Sequence, residues 1–322
     1  MNTHTGRALA ILGLLCTLLA PARADEIHDA ATKGDVARVR ALLDGDKALM
    51  EARNDVGMTP LILAAGNDRL AVAAMLLNRG ASISARDVNG DTALHLAAYP
   101  DGPDVARLLL KKMTIIDARN NIGQTPLQMA SALNHARTVS LLLARGADPV
   151  QQDKSGHSAL DLAPVGSQTI ALLRPAVDVV YLHRAANQGD VAAVRAILDK
   201  RPALLEARNA RNETPLWSAA IENRTATAKL LLERGADPNA LCLFNMRVTP
   251  LMCAAQNGQE PLARLLLTHG AKVDIRDSNN DTALHMAAED GHTALVRLLL
   301  AHGADTRLRD ARGLTPLDAA VR

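Results

Sequence analysis

The segment Thr282-Ala283-Leu284-His285-Met286-Ala287-Ala288 is one of a series along this chain. Related segments begin at Thr59, Thr92, Thr125, Thr214, Thr249 and Thr315, and a degenerate copy begins at Ser158. The steps from 59 through 92 and 125 to 158 are each 33 residues, as are those from 249 through 282 to 315. A length of 322 residues would ordinarily suggest two globular domains. The internal period overrides that expectation, because a repeat array grows along one dimension without deepening its core.

Each full unit spells out a mechanism. The Thr hydroxyl can cap free amides, Pro is tolerated in the first turn that follows, and Leu and Ala at helical spacing make a short inner helix. A polar break such as Asp290-Gly291-His292 separates it from a second helix carrying a leucine triplet, for example Leu141-Leu142-Leu143 or Leu265-Leu266-Leu267. Arg-Gly-Ala-Asp or His-Gly-Ala-Asp ends that helix, with Gly in the left-handed terminal position. The remaining residues, such as Ala85 to Gly90, should form a hairpin-like finger with a turn at Asn-Gly. Aromatics make up only 1% of the chain, which suits stacked short helices packed with small and aliphatic side chains.

The period and the T-P-L-H-x-A core resemble the ankyrin repeat. The resemblance implies an all-α solenoid of about ten helix-turn-helix units with β-hairpin-like fingers. Residues 26–65 and 181–220 overlay without a gap, and 23 of the 40 positions are identical. The chain therefore reads as duplicated five-unit arrays: 1–24 a signal peptide, 25–175 the first array, and 176–322 the second. Pro164 and Pro175 mark an irregular junction near 164–180, where the second helix (Gln168 to Arg174) should be short. One continuous curved solenoid is expected, because the linker is short and apolar; two independently tumbling arrays are the alternative. At the far end, Pro316 to Val321 offers an inner helix with no partner helix after it, so fraying is expected there.

Residues 1–24 read as an export signal: Arg7, an apolar run from Ala8 to Ala20, then Ala22-Arg23-Ala24 as a small-x-small cleavage site. Cleavage after Ala24 and a periplasmic location are expected, with no membrane association afterwards. Removing Arg7 and Arg23 from the 36 basic residues leaves 34 against 34 acidic ones. Charges of both signs are interspersed, which gives no reason to expect nucleic acid. Of the two cysteines left, Cys253 sits at a packing position; a Cys242–Cys253 bridge and two buried thiols both remain open.

Nothing in the chain announces chemistry. His28, His95, His183 and His285 fill the H slot of the T-P-L-H phrase, where in this family the imidazole bridges turn backbones, and His269 and His302 precede helix-ending glycines. No His-Glu pair has hydrolase spacing, and no P-loop, nucleophile elbow or dinucleotide fingerprint is present. No catalytic residue, cofactor or metal is assigned, and the chain is expected not to be an enzyme.

Departures from the template are the better clues. Between Thr214 and Thr249 the step is 35, and the additional residues fall in Leu241-Cys242-Leu243-Phe244-Asn245-Met246, an apolar finger where other copies are polar. Trp217 replaces the usual His, Gln or Met. An apolar finger reads as a contact surface, or it folds back over Trp217 and buries it. The candidate partner-binding residues are Trp217, Leu243, Phe244 and Met246, with Met58, Asp91, Tyr99, Gln124 and Glu213 on the same concave side. The expected function is a monomeric scaffold for a protein partner, with an inhibitor or immunity role. A peroxide-defence enzyme or accessory factor and an envelope spacer are the alternatives.

Overall fold

The computed structural model describes residues 23–112, 115–243 and 246–321. The apolar run of the expected signal lies outside the described residues, and so does Phe244. Residues 23–33 are helical, so the expected cut after Ala24 falls within the first described helix.

The chain is a succession of helix pairs in two compact units, Met1–Ala176 and Val177–Arg322. In the first unit, inner and outer helices pair as Pro60–Gly66 with Leu70–Asn78 and Pro126–Ala132 with Ala136–Ala144. In the second, Pro215–Ile221 pairs with Thr225–Glu233, Pro250–Gln256 with Glu260–Thr268, and Ala283–Glu289 with Thr293–Ala301. The reason for each start is visible: the hydroxyls of Thr59, Thr125, Thr214, Thr249, Thr282 and Thr315 each accept a backbone N–H three residues on. The stops are equally local. At Gly270, with φ of +89°, the amides of Gly270 and Ala271 turn back to Leu267 and Leu266.

Each unit has its own core. The middle leucine of every triplet is fully buried: Leu109 and Leu142 in one, Leu231, Leu266 and Leu299 in the other. Stacking explains this, since the middle residue faces both the inner helix of its own repeat and the neighbouring repeat.

The fingers are tight turns. Outside the lengthened finger at 241–248, an Asp or Asn carboxyl or amide oxygen accepts the N–H groups two and four residues later, as Asp87 does from Asn89 and Asp91, and Asp277 from Asn279 and Asp281. Gly90 (φ +77°) closes the turn, and a Cβ there would stand 2.9 Å from the backbone nitrogen of Asn121 on the next finger. Among the described residues the one strand-like pairing is the isolated antiparallel bridge Cys242–Val248.

One expectation at the junction is corrected. The helix begun at Gln168 does not stop before Pro175; it runs Gln168–Gln188 with Pro175 inside. Proline removes only one N–H, and no glycine interrupts the helix formers on either side of it.

Candidate functional site

Three sets of hydrogen bonds join repeat to repeat and fix what each surface presents. The first uses the H slot. His95 Nε2–H donates to the carbonyl of Gln124 (3.1 Å), while its Nδ1 accepts from the Thr92 amide (3.1 Å). His285 does the same between Thr282 and Leu314. Gln128 reproduces both roles, accepting from the Thr125 amide and donating to the carbonyls of Gln151 and His157. Burial holds His95 and His183 below the ordinary imidazole range, so the ring stays neutral and can bridge a donor and an acceptor. These histidines are structural, as their slot implied.

The second set is an arginine series at the finger bases. Arg53 donates to the carbonyls of Gly57 and Arg86, Arg86 to those of Gly90 and Arg119, and Arg208 to those of Asn212 and Leu241. The third set places a residue before the outer helix against the preceding inner helix: Arg69 on the Thr32 carbonyl, His135 on that of Ala98, Arg224 on that of Asn187 and His292 on that of Gln256. His269 and His302 each hold a last-turn carbonyl of their own helix, Leu265 and Leu298.

The candidate contact residues are distributed unequally. In the first unit Tyr99 is exposed (48%), and Met58 and Gln124 are half-buried. Asp91 is buried and accepts a bond from Asn120 Nδ2 (2.9 Å), so its carboxylate is spent on the next finger. In the second unit Leu243 and Met246 stand exposed (56% and 49%). Glu213 is buried and takes its bond from Asn209. Trp217 is only 5% exposed, and its indole N–H has no partner among the described residues. As surface anchors Trp217, Asp91 and Glu213 are therefore corrected. Trp217 occupies the slot that His and Gln fill elsewhere, and its counterparts Ile62, His95, Gln128, Met252 and His285 are buried as well.

A row the sequence reading passed over lies on the first unit's fingers. Val56, Val88 and Ile122 are exposed (45%, 59% and 58%), and their fingers are tied tip to tip. The Val88 amide donates to the Val56 carbonyl, Asn121 to Asn89, and Lys154 to Ile122. The signal was present, since a β-branched residue at a turn tip among Asp, Asn and Gly has no local reason to be there. The corresponding tips of the second unit include Arg211, Ser278, Asn279, Ala311 and Arg312.

Other features have structural accounts. Cys242 and Cys253 are buried and free, and burial pushes the Cys253 thiol up to about 12, with the neighbouring Cys242 adding to the rise. Burial lifts the Asp117 carboxyl to about 6, against the bonds it accepts from the Asp148 amide. No group of His, Cys, Asp and Glu among the described residues could hold a metal ion, and no described helix is long and apolar enough to cross a membrane. At the Pro316–Ala320 end an apolar groove of about 530 Å³ opens between Leu300 and Leu317.

Paired short helices, bridged finger to finger and presenting turn tips, define a repeat-built scaffold for protein–protein interaction, a fold generally without catalysis. The family model for ankyrin repeats (three copies) matches residues 27–120, 84–153, 182–277 and 251–322, and the chain belongs to the ankyrin-repeat family. It is similar to the mouse B-cell lymphoma 3 protein homolog, 32% identical over 147 residues, covering 46% of this chain and 28% of that protein. The Caenorhabditis elegans transient receptor potential cation channel subfamily A member 1 homolog is 29% identical over 157 residues, 45% of this chain and 13% of the channel protein. Human ankyrin repeat and KH domain-containing protein 1 is 35% identical over 98 residues, 30% and 4% of the two chains. The chain thus spans under a third of the curated relatives it matches, and the likeness is one of repeats.

Proposed function

We propose that this chain is a non-catalytic, periplasmic binding scaffold for a protein partner. Its contact residues are the finger-tip row Val56, Val88 and Ile122 in the first unit, and Leu243 and Met246 on the lengthened finger of the second. The observation that carries the reading is the tip row: exposed aliphatic residues on successive fingers that backbone bonds tie to one another, needing little ordering when a partner covers them. Tyr99 adds an exposed aromatic on the same unit. The apolar run and small-x-small site before Asp25 support export. An inhibitor or immunity role is the form of binding we favour, because a rigid surface suits capture of a folded enzyme.

Val88→Arg with Ile122→Arg tests it, since both sites are exposed and the fold should survive, as circular dichroism would show. Periplasmic extract passed over the parent chain should yield a partner that the double variant loses. Equal recovery by both would remove the tip row from the interface. Recovery of the intact chain from the cytosol would end the periplasmic reading separately.

A further inference from the structure

Successive fingers are tied once more by side chains 29 residues apart, and one of these pairs in the second unit is mismatched. In the first unit Asn120 accepts the amides of Ile122 and Gln124 with Oδ1, which leaves Nδ2 to donate to the Asp91 carboxylate (2.9 Å). The next pair exchanges the roles, Gln124 supplying the amide and Asp153 the carboxylate. Met58 with Asp87, and Val248 with Asp277, hold one carboxylate each in the same register. Asp281 with Asp310 holds two. Asp310 Oδ1 takes the amides of Arg312 and Leu314, as Asn120 does in its own finger, so Oδ2 stands where an amide nitrogen would be. On the other side of the pair, Asp281 Oδ1 is buried without a partner among the described residues. Both acids line one polar pocket of about 360 Å³, together with Glu289 and Arg312.

The surroundings set the two acids apart. Burial lifts the Asp281 carboxyl above the ordinary range, and the Asp277 and Asp310 carboxylates add to the rise, while His285 and Arg312 oppose it. Glu289 on the inner helix brings a further carboxylate to the pocket, and Val248 at the matching place on the preceding finger brings no charge. At Asp310 burial acts upward too, but the Leu314 amide and the Arg312 guanidinium, 2.6 Å from Oδ2, hold that carboxyl below the ordinary range. One acid is thus placed to gain a proton and the other to stay ionised.

We propose that a proton on Asp281 fastens the last finger. Protonated Asp281 donates its O–H to Asp310 Oδ2 and remakes the kind of bond that Asn120 gives Asp91. When both are ionised the carboxylates repel, leaving the Ala311 amide on the Asn279 carbonyl (2.7 Å) and His285 on the Leu314 carbonyl to hold the finger. The fastening is complete below about pH 4, the ordinary carboxylate value, and is lost as pH rises through the higher folded value of Asp281. Acid therefore stiffens this finger and the helix Pro316–Ala320 that follows it, whatever binds the tips of the first unit.

The test is deuterium exchange of the full chain, read on peptides covering Asp310–Ala320 as protection relative to the parent at the same pH. Asp281→Asn supplies a permanent donor to Asp310 and keeps the Arg312 ion pair. It should raise protection about fivefold at about pH 7.5, the effect of one net hydrogen bond, and the gain should vanish near pH 4, where the parent carries its own proton. Asp310→Asn recreates the Asn120 arrangement and should behave the same way. Asp281→Leu removes the charge without adding a donor, so it should gain less than Asp281→Asn at the higher pH and fall below the parent at the lower. All three variants keep every histidine, so histidine titration cancels in the ratio. Asparagine matches aspartate in size, so the fold should survive, as circular dichroism would show. Equal protection of Asp281→Asn and parent at the higher pH, or a gain of the same size at both, would overturn the proposal.

Discussion

His183 Nδ1 lies 2.8 Å from the hydroxyl of Ser218, and its Nε2 lies 2.9 Å from the carbonyl of Ala207. A carbonyl can only accept, so Nε2 carries the proton and Ser218 donates to Nδ1. His28, the counterpart 155 residues earlier, keeps the carbonyl bond to Ala52, but Leu63 stands at the position of Ser218 and Nδ1 is buried without a partner. Two copies of one template thus differ in a single buried bond. Ser218→Ala should bring His183 to the same state and cost about 1–2 kcal/mol, the penalty of a buried acceptor left unpaired. A denaturant midpoint unchanged within error would show that the bond contributes nothing net.

Gln128 and His95 occupy equivalent positions and make equivalent bonds, so the slot requires an acceptor and a donor at set distances and not an imidazole as such. His95→Gln should therefore stay within about 1 kcal/mol of the parent, while His95→Ala should lose about 2–3 kcal/mol by orphaning the Thr92 amide and the Gln124 carbonyl. Equal losses in the two variants would contradict this. The ring also has a pH signature. Burial depresses its folded pKa, so the folded state binds a proton less readily than the unfolded one. Stability from this group is present above about pH 6.5, the ordinary imidazole value, and falls as pH drops below it. The parent should lose stability over that range and His95→Gln should lose less.

Asp117 has the opposite sign. Its carboxyl titrates at about 6 in the folded chain, and an unfolded Asp at about 4. The folded state holds the proton more tightly, so this residue favours folding at low pH, and its contribution is lost as pH rises from about 4 through about 6. Asp117→Asn keeps an oxygen for the Asp148 amide and removes the charge. It should raise stability at pH 7 by about 1–2 kcal/mol and flatten that part of the pH profile. A variant less stable than the parent at pH 7 would show that the Asp148 amide bond outweighs the burial of charge.

Leu266 is the middle leucine of one outer-helix triplet and fully buried, whereas Leu300, the last leucine of the next triplet, is 43% exposed. Leu266→Ala should cost about 2–5 kcal/mol, and Leu300→Ala about 1 kcal/mol or less. Urea unfolding followed by circular dichroism would compare them, and similar costs would mean that the Leu300 layer is covered in solution.

Much of the architecture could be read from local chemistry. Thr249-Pro250 starts a helix because a hydroxyl caps amides three residues away, and His269-Gly270 ends one because glycine can take positive φ. Asp87 closes a finger through its own neighbours' N–H groups. Those are short-range causes, repeated in register, and the period adds that neighbouring repeats must cover each other's leucines. Pro175 was misread for the same reason in reverse: a local stop signal was outweighed by good helix formers on both sides. The exposure of particular side chains depended on residues about 30 positions distant. Trp217 looks like an anchor in the sequence, but the repeat that follows decides its burial, and Asp91 is claimed by Asn120 of the next finger. Val88 looks like an ordinary turn residue until the adjoining fingers place Val56 and Ile122 beside it. The sequence by itself determined the repeated unit, because capping, helix spacing and turn closure act within a few residues. Only the tertiary structure decided which side chains remain free for a partner, because burial is set by whatever the stacking brings alongside.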